Sequence, residues 1–62
     1  MIPPLDEQIL CVEREIRMRN QVYPRWIAAG RMTQAKADTE INAMRAVLGT
    51  LQAVRHMKEA AP

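Results

Sequence analysis

The sequence predicts an all-α fold, an antiparallel pair of helices joined by a short turn, and three observations carry that prediction. Apolar residues recur at steps of three and four along two long stretches, the pattern of an amphipathic helix. A single turn signal, Gly30-Arg31-Met32-Thr33, divides stretches of similar length. The rest is rich in Ala, Arg, Met, Glu, Gln and Leu, residues that lose little on entering a helix. No strand signal, internal repeat or low-complexity segment interrupts the pattern.

The first helix is expected over about residues 5–29. Pro3 and Pro4 begin in extended form, and Asp6 and Glu7 supply negative charge where a helix N-terminus favours it. Its stripe is Leu5, Ile9, Val12 and Ile16, then Tyr23 and Trp26, with Leu10 and Ile27 widening it. Arg19 falls on the stripe. It either snorkels from the edge or is a buried charge paired across an interface. Pro24 removes one backbone donor and crowds the Asn20 carbonyl, so the helix either kinks there or breaks at residues 21–23. The stripe resumes in phase beyond it, which favours a kink.

Gly30 stops the first helix, since glycine is the usual residue at the left-handed position past a helix end. The turn covers residues 30–33. Thr33 is a good N-cap, able to accept from the amide of Ala35 or Lys36, and Asp38 and Glu40 put acid in the early turns that follow. The second helix is expected over about residues 34–58. Its stripe is Ala37, Ile41, Met44, Leu48 and Leu51, flanked by Ala43, Val47 and Val54. Gly49 interrupts this helix, either as an exposed weak point or as a place of close helix approach. Ala60, Ala61 and Pro62 are expected to fray. Each helix spans about 25 residues, or about 37 Å at 1.5 Å per residue, so a short turn folds them back side by side.

A chain of 62 residues buries a small share of its surface and needs a staple. Cys11 is the single cysteine, which excludes an internal disulfide. Cys11 and His56 are too few for a structural zinc site, so no metal and no cofactor is expected. Self-association remains. Each apolar stripe is wider than the line along which two helices shield each other. Two hairpins related by a two-fold axis then form a four-helix bundle, with Leu5, Ile9, Val12, Ile16, Ile41, Met44, Val47, Leu48 and Leu51 as core and self-association residues.

Function is bounded more by exclusion. No apolar run reaches the roughly 20 residues of a membrane span, and the N-terminus lacks a basic stretch followed by an apolar one, so a cytoplasmic location is expected. Cys11 and His56 could meet near the open end of the hairpin, but a two-helix surface offers no oxyanion hole. No catalytic residue is expected, and no Gly-rich phosphate loop occurs. A DNA-binding helix-turn-helix fails because the position that needs glycine is Ile41, inside a strong helical pattern. Nine Lys and Arg against seven Asp and Glu give a net charge of +2, weak support for nucleic acid. Arg14, Arg17, Arg25 and Arg31 form either a solvated face or a polar face for a partner. Tyr23 and Trp26 lie beside the turn. They are expected to clamp it on Met32, Ala37 and Ile41, or else to anchor a foreign partner.

The stretch Val22-Tyr23-Pro24-Arg25-Trp26, followed by Gly30-Arg31-Met32-Thr33-Gln34-Ala35-Lys36-Ala37, resembles a group of very small uncharacterised proteins of bacteriophages and prophages of proteobacteria. The resemblance covers roughly residues 9–52 and includes Glu15 to Arg19 and Ala43 to Leu48. It implies a phage setting and a bacterial host cell, and no particular activity. Members of the group tend to have a longer side chain where this chain has Gly49. Three functions follow as expectations. The first is a protein–protein interaction module that inhibits or modulates a host or phage enzyme, of anti-defence type. The others are a nucleic-acid accessory factor in phage recombination or replication, and a purely structural assembly protein.

Overall fold

A computed structural model describes residues 1–60. Two helices make up the fold, α1 over Leu5–Ala28 and α2 over Gln34–Ala60. They pack against each other in a rod of 51 × 21 × 17 Å. The alignment is antiparallel. Asp6 near the start of α1 meets Arg55 near the end of α2, and Arg19 meets Glu40 further along. The hairpin is therefore as expected. α2 extends to Ala60, beyond the expected end at Lys58, so Ala60 is helical; the fraying expected of Ala61 and Pro62 lies outside the described residues.

The start of α1 has no side-chain cap, because Pro4 occupies the N-cap position. Gln8 compensates. Its backbone amide donates to the Pro4 carbonyl at 3.1 Å, and its side-chain amide donates to the Pro3 carbonyl at 2.8 Å. The two prolines are thereby tied to the first turn.

α1 runs through Pro24 without a break, so the interruption at residues 21–23 does not occur. Pro24 stands in the last turn of the helix, where only the Asn20 carbonyl loses its donor. Asn20 and Pro24 are both exposed, so water can replace the missing bond.

The end of α1 is a full Schellman motif. Gly30 has φ 74°, its amide donates to the Ile27 carbonyl at 3.0 Å, and the Arg31 amide donates to the Trp26 carbonyl at 2.8 Å. Thr33 then caps α2. Its Oγ1 accepts from the Lys36 amide at 3.1 Å and its carbonyl from the Ala37 amide at 3.0 Å. The acids expected to serve the start of α2 lie beyond its first turn. They pair with side chains: Asp38 accepts from Gln34 at 2.9 Å, and Glu40 pairs with Lys36 at 3.0 Å.

The core is a thin line. Ile9, Tyr23 and Ala37 are the buried apolar residues among those described, and no large side chain is completely enclosed. Leu5, Val12, Ile16, Ile41, Met44, Leu48 and Leu51 are half-buried along the same seam. Val47, expected beside the stripe, remains 47% exposed in the single hairpin. Ala37 is small, and Tyr23 fits beside it near the turn. At Gly49 an added Cβ would meet nothing within 4 Å, so the glycine marks an open surface of the hairpin and no close approach.

Two opposite substitutions test this backbone reading. Gly30→Ala should cost about 1–2 kcal/mol, because a side chain must then adopt the left-handed conformation. Gly49→Ala should stabilise by up to about 1 kcal/mol, through helix propensity in open space. Urea unfolding followed by circular dichroism at one fixed protein concentration reads both signs.

Candidate interaction surface

At 3.6 residues per turn, the seam residues divide each helix into two flanks. One flank of the hairpin carries Cys11, Val22 and Trp26 from α1, with Ala43, Val47 and Val54 from α2. The other carries Asp6, Glu13, Asn20 and Pro24, with Asp38, Arg45, Gln52 and His56. The grooves between the helices follow this division. A groove of about 680 Å³ near the open end is lined by Leu10, Cys11, Val12, Val47 and Leu51, among others. A groove of about 550 Å³ nearer the turn has Asn20, Gln34, Asp38, Asn42 and Arg45 around Tyr23 and Ile27. The first side, although its groove also takes in Glu7, Gln8 and Arg14, is the more apolar of the two.

The apolar flank is exposed to a degree that a finished core would not allow. Val47 and Val54 on α2 and Leu10, Met18 and Trp26 on α1 are all open to water. Val47 and Val54 lie toward the open end and Trp26 at the turn, with the charges of Glu15, Arg19, Lys36 and Glu40 between them.

A ladder of charges crosses this flank. The Arg19 Nε donates to Glu15 Oε1 at 2.9 Å, and its Nη1 reaches Glu40 Oε2 at 3.7 Å across the seam. Lys36 completes the run on the far side of Glu40 at 3.0 Å. Signs alternate along the ladder, so it is neutral as a whole. The Arg19 side chain is 25% exposed, and the hydrogen bond to Glu15 pushes its pKa up against the opposing effect of burial. Arg19 therefore stays charged at any working pH. Arg19 thus lies at the edge of the seam, half-buried and paired within the hairpin, and is not a buried charge. A second bridge, Arg55 to Asp6 at 3.4 Å, ties the open end; Asp6 is 76% exposed there, so this pair contributes little.

The aromatic pair divides its work. Tyr23 is buried and lines the groove that includes Ala37 and Ile41. Trp26 stays 43% exposed and lines a separate hollow with Met32 and Lys36. The rings remain neighbours, with centroids 5.7 Å apart and planes tilted by 37°. Tyr23 is thus the clamp, and Trp26 belongs to the uncovered flank.

Arg14, Arg17, Arg25 and Arg31 are all exposed, and none forms an ion pair among the described residues. Arg14 and Arg25 lie on the outer ridge of α1, away from α2, and Glu7 interrupts that ridge. The four arginines do not converge. Cys11 and His56 are not brought together either, since helix geometry puts them on opposite flanks. Among the described residues no three His, Cys, Asp or Glu side chains cluster in a way that could hold a metal. No helix among the described residues is long and apolar enough to cross a membrane. No protein-family model, curated protein or solved structure matches the chain.

The burial contrast has a direct consequence. Ile9→Ala, at the tightest point of the seam, should cost about 2–5 kcal/mol. Met57→Ala, on an exposed outer position, should stay within about 0.5 kcal/mol. Thermal unfolding of the two variants beside the parent chain checks the difference.

Proposed function

We propose that this chain is a protein–protein interaction module whose first partner is a second copy of itself, and that it acts by occupying surfaces and not by catalysis. The observation that carries this is an excess of exposed surface. The hairpin exposes 4915 Å². A folded monomer of its mass would expose about 4,100 Å² by the usual scaling of area with mass. The excess, roughly 800 Å², is the area one partner contributes to a standard protein–protein interface. An elongated two-helix rod with one uncovered flank is the source of that excess.

A four-helix bundle of two hairpins would cover the flank without any new sequence. The resemblance to small phage and prophage proteins supports a bacterial host cell as the setting, and the small size and exposed surface support action on a host or phage enzyme as an inhibitor or modulator. Trp26, at the turn end of the flank, is the residue type that anchors such contacts. Protein is favoured over nucleic acid as the client because the exposed arginines are dispersed and interleaved with acid, whereas phosphate binding needs a clustered basic face.

Sedimentation equilibrium at micromolar concentration should give a dimer, and helicity should fall on dilution as the dimer dissociates. A folded monomer with concentration-independent helicity would overturn the reading. Mobility shifts with duplex DNA at low salt should show no retention, since phosphate-driven binding is strongest there.

A further inference from the structure

The charge ladder lies on the uncovered flank and off its centre, and this position selects one way of docking a second copy. Resting on the self-association proposed above, we infer that the two hairpins meet through the apolar flank about a two-fold axis parallel to the helices, with both turns at the same end.

Arg19 and Glu40 stand at the same height along the hairpin, joined at 3.7 Å. A two-fold axis parallel to the helices lays α1 of one copy over α2 of the other at equal height. Arg19 of each chain then faces the partner subunit's Glu40, so opposite charges meet at that height. The apolar open end, with Val12, Val47 and Val54, meets its own copy. At the same register Val12 of each copy lies over the partner subunit's Val47, apolar on apolar.

The alternative axis, perpendicular to the helices, puts the turns at opposite ends. The ladder is nearer the turn than the open end, so it does not superpose on itself when the rods overlap completely. Glu40 then lands opposite the partner subunit's Val54, burying a carboxylate against a methyl surface. Sliding the copies until the ladders coincide leaves Val54 and the open-end groove uncovered.

Two measurements test the flank and the arrangement separately. Val47→Glu places a charge in the proposed interface at a position exposed in the single hairpin. It should raise the dimer dissociation constant at least about a hundredfold, the cost of burying an unpaired charge. Gln52→Glu adds the same charge on the polar flank and should change it less than about threefold. For the arrangement, nitroxides are attached to an R31C variant in a C11A background, and pulsed dipolar spectroscopy gives the distance between the two turns. Turns together, separated by one bundle width, should give less than about 25 Å. Turns apart would be separated by the length of α1, about 36 Å for its 24 residues.

A wild-type monomer would sink this inference together with the reading it rests on. A dimer indifferent to V47E, or dissociated by Q52E, would sink the choice of flank while leaving self-association standing. A distance longer than about 25 Å would overturn the common-end arrangement alone.

Discussion

Two helices lying side by side can shield each other only along a line, and the width of that line governs everything else in this molecule. Here it is filled by Ile9, Tyr23 and Ala37, with partial burial spreading to Ile16, Met44 and Leu48. A line of that width excludes water from the seam but cannot cover the stripes beside it. Burial of apolar surface is the dominant favourable term in folding, and each ordered residue has an entropic cost to offset. A chain of this length with so few enclosed side chains therefore gains disproportionately from any surface that closes its open flank. The proposed interaction surface is the unfinished side of that core.

The polar groups are placed in keeping with that economy. Local bonds define the ends of the helices: Gln8 holds the prolines, Gly30 closes α1, and Thr33 opens α2. These devices fix where the chain reverses, and the reversal fixes which residues face each other. The long-range charged contacts are then few. Arg55 to Asp6 is an exposed pair at the open end, whereas Arg19 sits between two carboxylates at the edge of the seam. Screening by solvent makes the first weak and leaves the second stronger. A half-buried charge that is already paired adds little to stability but penalises any docking that misaligns it, which is a contribution to specificity.

Much of this was legible in the sequence because it depends on local rules. The two stripes, the glycine stop and the threonine cap each depend on a few neighbouring residues, and the structure follows them closely. Pro24 was legible only as a perturbation. Its effect depends on its place in the last turn and on the exposure of Asn20, neither of which a local rule fixes. The rest was of another kind. Val47, placed beside the α2 stripe by its spacing, is exposed there, and how far the flank stays open could be read only once both helices were in place. The link from Arg19 to Glu40 required the alignment of the two helices, which no single-helix pattern contains. Once the antiparallel register is known, Lys36 and Glu40 on one helix face Arg19 and Glu15 on the other, and the ladder can be read directly.

The division of the aromatic pair joins these points. Tyr23 and Trp26 are three residues apart and look equivalent in sequence, yet one is buried and the other is not. Three residues along a helix turn the side chain by about 300°, enough to move it from the seam to the flank. Tyr23 finds the small Ala37 across the seam and is enclosed. Trp26 finds only the hollow beside Met32 and keeps much of its surface open. A tryptophan left open beside a half-buried charge ladder is poorly explained by the stability of one hairpin, since its indole would contribute more if enclosed. It is better explained by a surface that is completed in association. In the common-end arrangement both copies present Trp26 at the same end, beside both turns, so one end of the bundle would be aromatic and the other aliphatic. A bundle of that kind has two chemically distinct ends, and a client recognised by Trp26 would meet the dimer at its turns.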